Sequence, residues 1–260
     1  LFLTLAGILT RIIGFFYRIF LSRTIGAEGL GIYQLIAPVT AICFAFTAAG
    51  IQTSISKFVS MEIGKKNSTG AKTYLSIGLV MSLCLSALCG LILYHYADFI
   101  AVSWLGDKRC IPLLSVLSFS FIPCCIHACI NGYYYGMNKA HIPSFSQIAE
   151  QMIRMGAVWL LVIYLEKNGK PVTVGLAVEG HVIGEMASAA FTFLALLLVP
   201  PQKGEREGGK ERKNLVPILT LALPLMGNRL VLNLLGSAEA ILIPSRLIDH
   251  GLTNKEALSV

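Results

Sequence analysis

Long apolar stretches separated by short polar breaks dominate the chain. Stretches of about 20 residues, the length that crosses a hydrocarbon core as a helix, fall near 2–22, 31–56, 73–97, 111–137, 142–165, 173–199 and 215–237. They lack the alternation of polar and apolar positions over roughly 10 residues that a membrane β-barrel requires. The pattern predicts an all-α polytopic membrane protein with seven spans in this chain. Composition strengthens the reading: 13% of residues are charged, 55% are hydrophobic and the mean hydropathy is +0.71. A soluble domain carries about 25% charged residues, and the deficit here is spread over the whole length. The first stretch is no cleaved signal, because Arg11 and Arg18 interrupt it and no small-residue cleavage site follows. A first residue other than Met, and a final EALSV that reads as the opening of another helix, lead us to expect a piece of a longer protein.

One polar break differs from the rest. Residues 201–214, PQKGEREGGKERKN, are Gly-rich and densely charged, which predicts a linker between two helical units. The expected division is 1–200 as one six-helix unit, 201–214 as linker, and 215–260 as the start of a second unit: helix 7, an outer loop and the beginning of helix 8. The Lys and Arg residues set the orientation. Lys57, Lys65, Lys66, Lys72, Lys139 and five residues in 203–213 lie on one side; Arg23, Lys108, Arg109, Lys167, Lys170, Arg246 and Lys255 lie on the other. The excess places the N-terminus and the linker in the cytoplasm. Tyr133, Tyr134 and Tyr135 are expected at the inner interface and Trp104 at the outer one. The net charge of +7 then reflects cytoplasmic loops and gives no reason to expect a nucleic-acid partner. Six of the seven Cys fall inside predicted helices and no CxxC occurs, so we read them as small packing residues, with no metal site expected.

A charge at mid-bilayer costs about 2.5–3.5 kcal/mol on insertion scales and needs a cavity or a partner. Arg11 and Arg18 are seven residues apart, hence on one helix face, and neither has an acid three or four positions away. Two readings stand for Arg11: it lines a water-filled cavity that attracts anions, or it bridges to another helix. Arg18, nearer the outer end, can also snorkel to the interface. Glu150 and Arg154 are i,i+4 neighbours in the favourable order and read first as a self-neutralised pair. Glu179 and Glu185, six apart, do not share a face; one of them could answer Arg11 across the bundle, with His181 between them. Gly180 and Gly184, in GHVIG, have the spacing of a close helix crossing. Helix 7 holds Pro217, Pro224 and Gly227 ahead of Asn228, Arg229 and Asn233, the composition of a bent helix whose freed carbonyls face a cavity. Pro38 and Pro123 are expected to bend helices 2 and 4, for packing or for function. No nucleophile–base grouping, zinc motif or P-loop occurs, and GAEGLG at 26–31 joins two membrane helices, so no enzyme is expected.

RIIGFFYRIFLSRTIGAEGLGIYQLIAP, with its Arg–Gly–Arg order, its G-x-E-G-x-G-x-Y loop and its Pro in helix 2, resembles the start of a known family. It is similar to the polysaccharide-export and stage V sporulation protein B branch of the multidrug/oligosaccharidyl-lipid/polysaccharide (MOP) flippase superfamily. AAGIQTSISKFVS, NGYYYGMNKAHIPSFSQIAEQMIR and ILIPSRLIDHGLTNKEAL continue the resemblance along nearly the whole chain. It implies a MATE-like fold of 12–14 helices in two lobes, with residues 1–200 as the N-lobe. It also implies a bacterial cytoplasmic-membrane location and a monomeric transporter. An undecaprenyl-diphosphate-linked glycan or peptidoglycan precursor would cross by alternating access, in sporulation or in growth. By position in R-x-x-G, Arg11 corresponds to a cavity arginine of the related lipid II flippases. Arg18 matches a second one approximately, its spacing after the Gly being one residue longer. The resemblance implies no cofactor and leaves a coupling ion, Na+ or H+, open. Two rival readings remain: a cation-coupled multidrug exporter, for which the lobe cavities should hold carboxylates, and a non-transporting scaffold of envelope or spore assembly.

Overall fold

The computed structural model describes residues 2–199 and 216–249; the linker expected at 201–214, and the outer loop and eighth helix expected toward residue 260, lie outside them. Six continuous helical stretches are long and apolar enough to cross a membrane, and the first, Leu3–Gly64, holds two spans. The break is Gly26, at φ 76° and ψ 171°, a backbone state open essentially only to glycine. We call residues 2–25 α1 and 27–64 α2; the latter passes through a π-helical turn, Ala45–Ala49, before Gly50–Gly64. The others are α3 (Ser68–His95), α4 (Cys110–Gly136), α5 (His141–Lys167), α6 (Gly175–Leu198) and α7 (Val216–Asp249). All seven expected spans are present, and the described residues contain no strand.

α4 is the centre of the bundle, packed on α2, α3 and α6; α5 lies against α6 and the first half of the α1–α2 hairpin, and α7 against α2. One core layer joins Ile51, Ile55 and Val59 of α2 to Leu75, Cys129 and Tyr133. A second joins Ile32, Leu35, Ile36 and Val39 to Leu113, Leu114 and Phe121.

Small residues set how closely the helices approach. A Cβ on Gly132 or Gly136 would stand 2.5 or 2.6 Å from the α2 carbonyls of Gln52 and Ser56. At this crossing Tyr133 and Tyr134 are fully buried and Tyr135 is half-buried. Trp104 is exposed.

Pro38 sits within helical backbone, Gly26 being the site of non-helical dihedrals between Phe2 and Phe44, and α2 has a π turn at Ala45–Ala49. α4 tightens to 3-10 geometry at Ser118–Ser120, just before Pro123, whose ring opposes the carbonyl of residue 119 and withholds its N–H. α7 continues helical to Asp249 through Pro224, a full 12 residues beyond the span expected from hydropathy.

The turn at Gly26 is tied down. Arg109 Nη1 donates to Glu28 Oε1 at 2.7 Å, and Arg109 Nη2 to Asp107 Oδ2 at 2.7 Å. Burial pushes the Asp107 carboxyl up, but the Arg109 guanidinium and backbone N–H outweigh it and hold it below the usual carboxylate range. The same two acids raise the Arg109 guanidinium above its ordinary value, the bond from Asp107 first. At the opposite end, Asn67 caps α3 by accepting from the Gly70 N–H at 2.9 Å. Its amide also donates to the buried Glu62 at 2.6 Å.

Candidate functional site

Two polar regions stand out, one on the surface of α1 and one inside the bundle. Along α1 the buried positions are Ala6, Tyr17 and Leu21. At 100° per residue, Thr4, Gly7, Arg11, Gly14, Arg18 and Ser22 form a separate stripe. It is polar or small throughout, whereas Leu5, Ile8, Leu9, Ile12, Phe16 and Ile19 occupy the remaining, greasy side. Arg11 and Arg18 are exposed, and a Cβ on Gly7 or Gly14 would meet nothing within 4 Å. The stripe therefore opens on free space between two cations. Neither Arg11 nor Arg18 forms an ion pair with an acidic side chain among the described residues. The bridge reading of Arg11 thus finds no acid here: Glu185 is engaged elsewhere and Glu179 is exposed.

The α7 residues divide. Met226 packs on Gly50, and the Asn233 amide donates to the Ala41 carbonyl at 2.8 Å. Arg229 lies between those positions on the same helix face by rotation, and is exposed; Asn228 points about 100° away. Gly227 and Pro224 are exposed as well.

Inside the bundle, α5 and α6 cross at Gly180 and Gly184 as their spacing predicts. A Cβ on Gly180 would stand 2.2 Å from Val158 Cγ2, and one on Gly184 would be 3.2 Å from Arg154 Cβ. This contact brings Arg154 beside Glu185. Arg154 Nη2 is hydrogen-bonded to Glu150 and lies 3.7 Å from Glu185 Oε1. The pair read from sequence as self-neutralised is thus shared with a second acid. The other side of Glu185 was not legible: His127 Nε2 stands 2.8 Å from Oε2, and His181 Nε2 3.8 Å from Oε1. Asn131 Nδ2 lies 3.4 Å from His127 Nδ1. Two acids, one arginine and two histidines are held with side chains at most 17% exposed. Most of its charged atoms face a partner within the group, as burial requires, but Arg154 Nε is buried without a hydrogen-bond partner.

A cavity of ≈ 310 Å3 reaches this network, lined by Tyr33, Thr40 and Phe44 of α2, Leu117 of α4, Arg154 and His181. Tyr33, Arg154 and His181 share the lining of this cavity, which therefore adjoins the internal network. Sequence reasoning missed His127, Tyr33 and Asn131. The one signal available was Cys124-x-x-His127, two ligand-type side chains at i,i+3.

Comparisons with known proteins bear on the family and the fold. Residues 1–252 match the model of the family described as polysaccharide biosynthesis protein. Stage V sporulation protein B of Bacillus subtilis (strain 168) is 27% identical over 99% of this chain and 50% of its own length. Lipid II flippase MurJ of the same organism is 22% identical over 85% of this chain and 44% of its own. The chain thus spans about half the length of the curated relatives it matches. Among solved structures, an inward-facing multidrug resistance MATE family transporter of the MOP superfamily aligns with a TM-score of 0.72 and 18% identity. That alignment covers 96% of this chain and 56% of the other. A MOP superfamily transporter from Pyrococcus furiosus, described as having a binding pocket of reverse polarity, aligns at 0.71 and 17% identity over 99% and 61%. With its all-helical, multi-pass architecture, which shares the fold of MATE transporters, and a family match over nearly its whole length, the chain belongs to the polysaccharide biosynthesis protein family.

Proposed function

We propose that this chain is the N-lobe, with the first helix of the C-lobe, of a flippase that moves an undecaprenyl-diphosphate-linked glycan or peptidoglycan precursor. It works by alternating access across the bacterial cytoplasmic membrane. The observation that carries this reading is the α1 stripe: Arg11 and Arg18 exposed, without acidic partners among the described residues, over the open backbone of Gly7 and Gly14. Left facing lipid at mid-span, the Arg11 guanidinium would cost about 2.5–3.5 kcal/mol; facing an aqueous cavity it is available to an anion. A guanidinium is planar, permanently charged and suited to two-point contact with phosphate oxygens. Arg11 serves as the main headgroup contact and Arg18 as a second. Arg229, with Asn228 and Asn233, contributes from α7. The lipid tail stays in the bilayer, the partner of the apolar helix faces, and the transporter acts as a monomer with its N-terminus in the cytoplasm. The names of two relatives support this class of cargo, and a sporulation role rests on one of them.

The test is flipping of labelled lipid II and of other undecaprenyl-linked glycans in proteoliposomes. Arg11→Ala should lower the rate at least tenfold at unchanged protein level, and full activity in that variant would overturn the role. One observation favours the cation-coupled exporter as a second reading, since Glu150 and Glu185 stand beside the lobe cavity. Export of cationic drugs without any flipping would establish that reading instead.

A further inference from the structure

Glu185 has two faces. Its Oε1 looks toward Arg154 and His181, and its Oε2 looks toward His127. Cys124, one helical turn before His127, completes a triangle: the Cys124 sulfur, a His127 ring nitrogen and a Glu185 oxygen all lie within 4.8 Å of one another. We propose that Cys124, His127 and Glu185 form a binding site for a divalent transition metal of the zinc class, independent of the flippase assignment.

Four observations support it. The donor set is one sulfur, one imidazole and one carboxylate, which suits zinc and disfavours calcium or magnesium. Bonds of about 2.0–2.3 Å in a tetrahedron place donors about 3.3–3.6 Å apart; the His127 Nε2–Glu185 Oε2 side, now 2.8 Å, would open by about 0.5 Å as the ion replaces that hydrogen bond, and the sides to Cys124 already lie within 4.8 Å. Charge balance points the same way. With both histidines neutral, as a metal-bound imidazole must be, Glu150 and Arg154 neutralise each other and Glu185 is an excess buried anion; a divalent ion with Glu185 and the Cys124 thiolate makes the group neutral. The surroundings resemble the outer ligands of a metal site. Asn131 is 4% exposed and aimed at His127, yet its Oδ1 has no hydrogen-bond partner. Turning that amide by 180° lets Oδ1 accept from the Nδ1–H of His127 and leaves Nε2 bare toward the metal. Oε1 of Glu185 stays oriented by Arg154 and His181 while Oε2 ligates.

The experiment is metal binding by the purified protein in detergent, using Zn2+ and Co2+ alone as probes. Metal content after dialysis and the sulfur-to-cobalt charge-transfer band are the readouts. The expected result is one ion per chain, weakened at least tenfold in Cys124→Ser and in His127→Gln. Cys84→Ser, an exposed thiol on α3, should bind as before. Cys124→Ser removes no ion pair and is the decisive variant, with circular dichroism and size exclusion showing that it folds. No binding by the wild-type protein would overturn the proposal and leave His127 as a proton-carrying partner of Glu185. So would binding that survives unchanged in Cys124→Ser. Neither outcome bears on flipping through Arg11.

Discussion

Replacing Arg154 with Met removes the one permanent cation from the internal network and keeps most of the side-chain volume. Glu150 and Glu185, with side chains 14% and 8% exposed, would then share a site without it. Breaking a buried pair by removing one partner costs about 3–5 kcal/mol, because the remaining charge is left uncompensated. The opening toward the cavity lets water relieve part of this, so we expect about 3 kcal/mol. Glu150→Gln in the Arg154→Met background should recover part of the loss. A coupling energy of about 2 kcal/mol or more is expected, since ordinary hydrogen bonds between membrane helices couple by about 0.6 and at most about 1.7 kcal/mol. The assay is a double-mutant cycle on the purified protein, unfolded by dodecyl sulfate and followed by circular dichroism. A loss below about 1 kcal/mol for Arg154→Met, or coupling indistinguishable from zero, would refute the idea that these charges neutralise one another in a dry site.

Other outcomes follow from single features. Gly26→Ala should destabilise by about 1–3 kcal/mol, since a side chain at φ 76° and ψ 171° is strained; a melt equal to wild type would contradict the break. Gly180→Leu forces atoms into Val158 and should cost about 1–3 kcal/mol by overpacking, read as loss of monodisperse protein on size exclusion. The depressed Asp107 carboxyl contributes stability above its unfolded value near pH 4, and this is lost as pH falls through its lower folded value. Thermal melting from about pH 7 to about pH 3 should show that acid loss in wild type, and a smaller one in Arg109→Ala.

Hydropathy made the helices legible because each span must be apolar for its full length, whatever its neighbours are. The Gly180–Gly184 crossing was legible for a similar reason: the spacing is local. The burial of Tyr133 and Tyr134 was not legible, because an aromatic near a helix end reads the same whether it meets headgroups or another helix. The π turn at Ala45–Ala49 carries no local signature in AFTAA. In the site, Arg11 and Arg18 announced themselves as charges without local acids. His127 did not, because its partner is 58 residues away and depends on how α4 and α6 meet. The pairing of Arg154 with Glu185 was hidden for the same reason. α7 ran past its expected end because polarity limits a span but does not stop a helix.

The single-residue break at Gly26 has a mechanical consequence. With no slack between α1 and α2, and Glu28 clasped by Arg109, any tilt of α1 must swing about that point. Arg18 lies about 12 Å and Arg11 about 22 Å down the helix from it, at 1.5 Å per residue. A swing of about 10° would carry Arg18 by about 2 Å and Arg11 by about 4 Å. The hairpin is a lever whose far charge travels about twice as far as its near one, so a small motion at the clasped end becomes a large displacement of cation deep in the membrane.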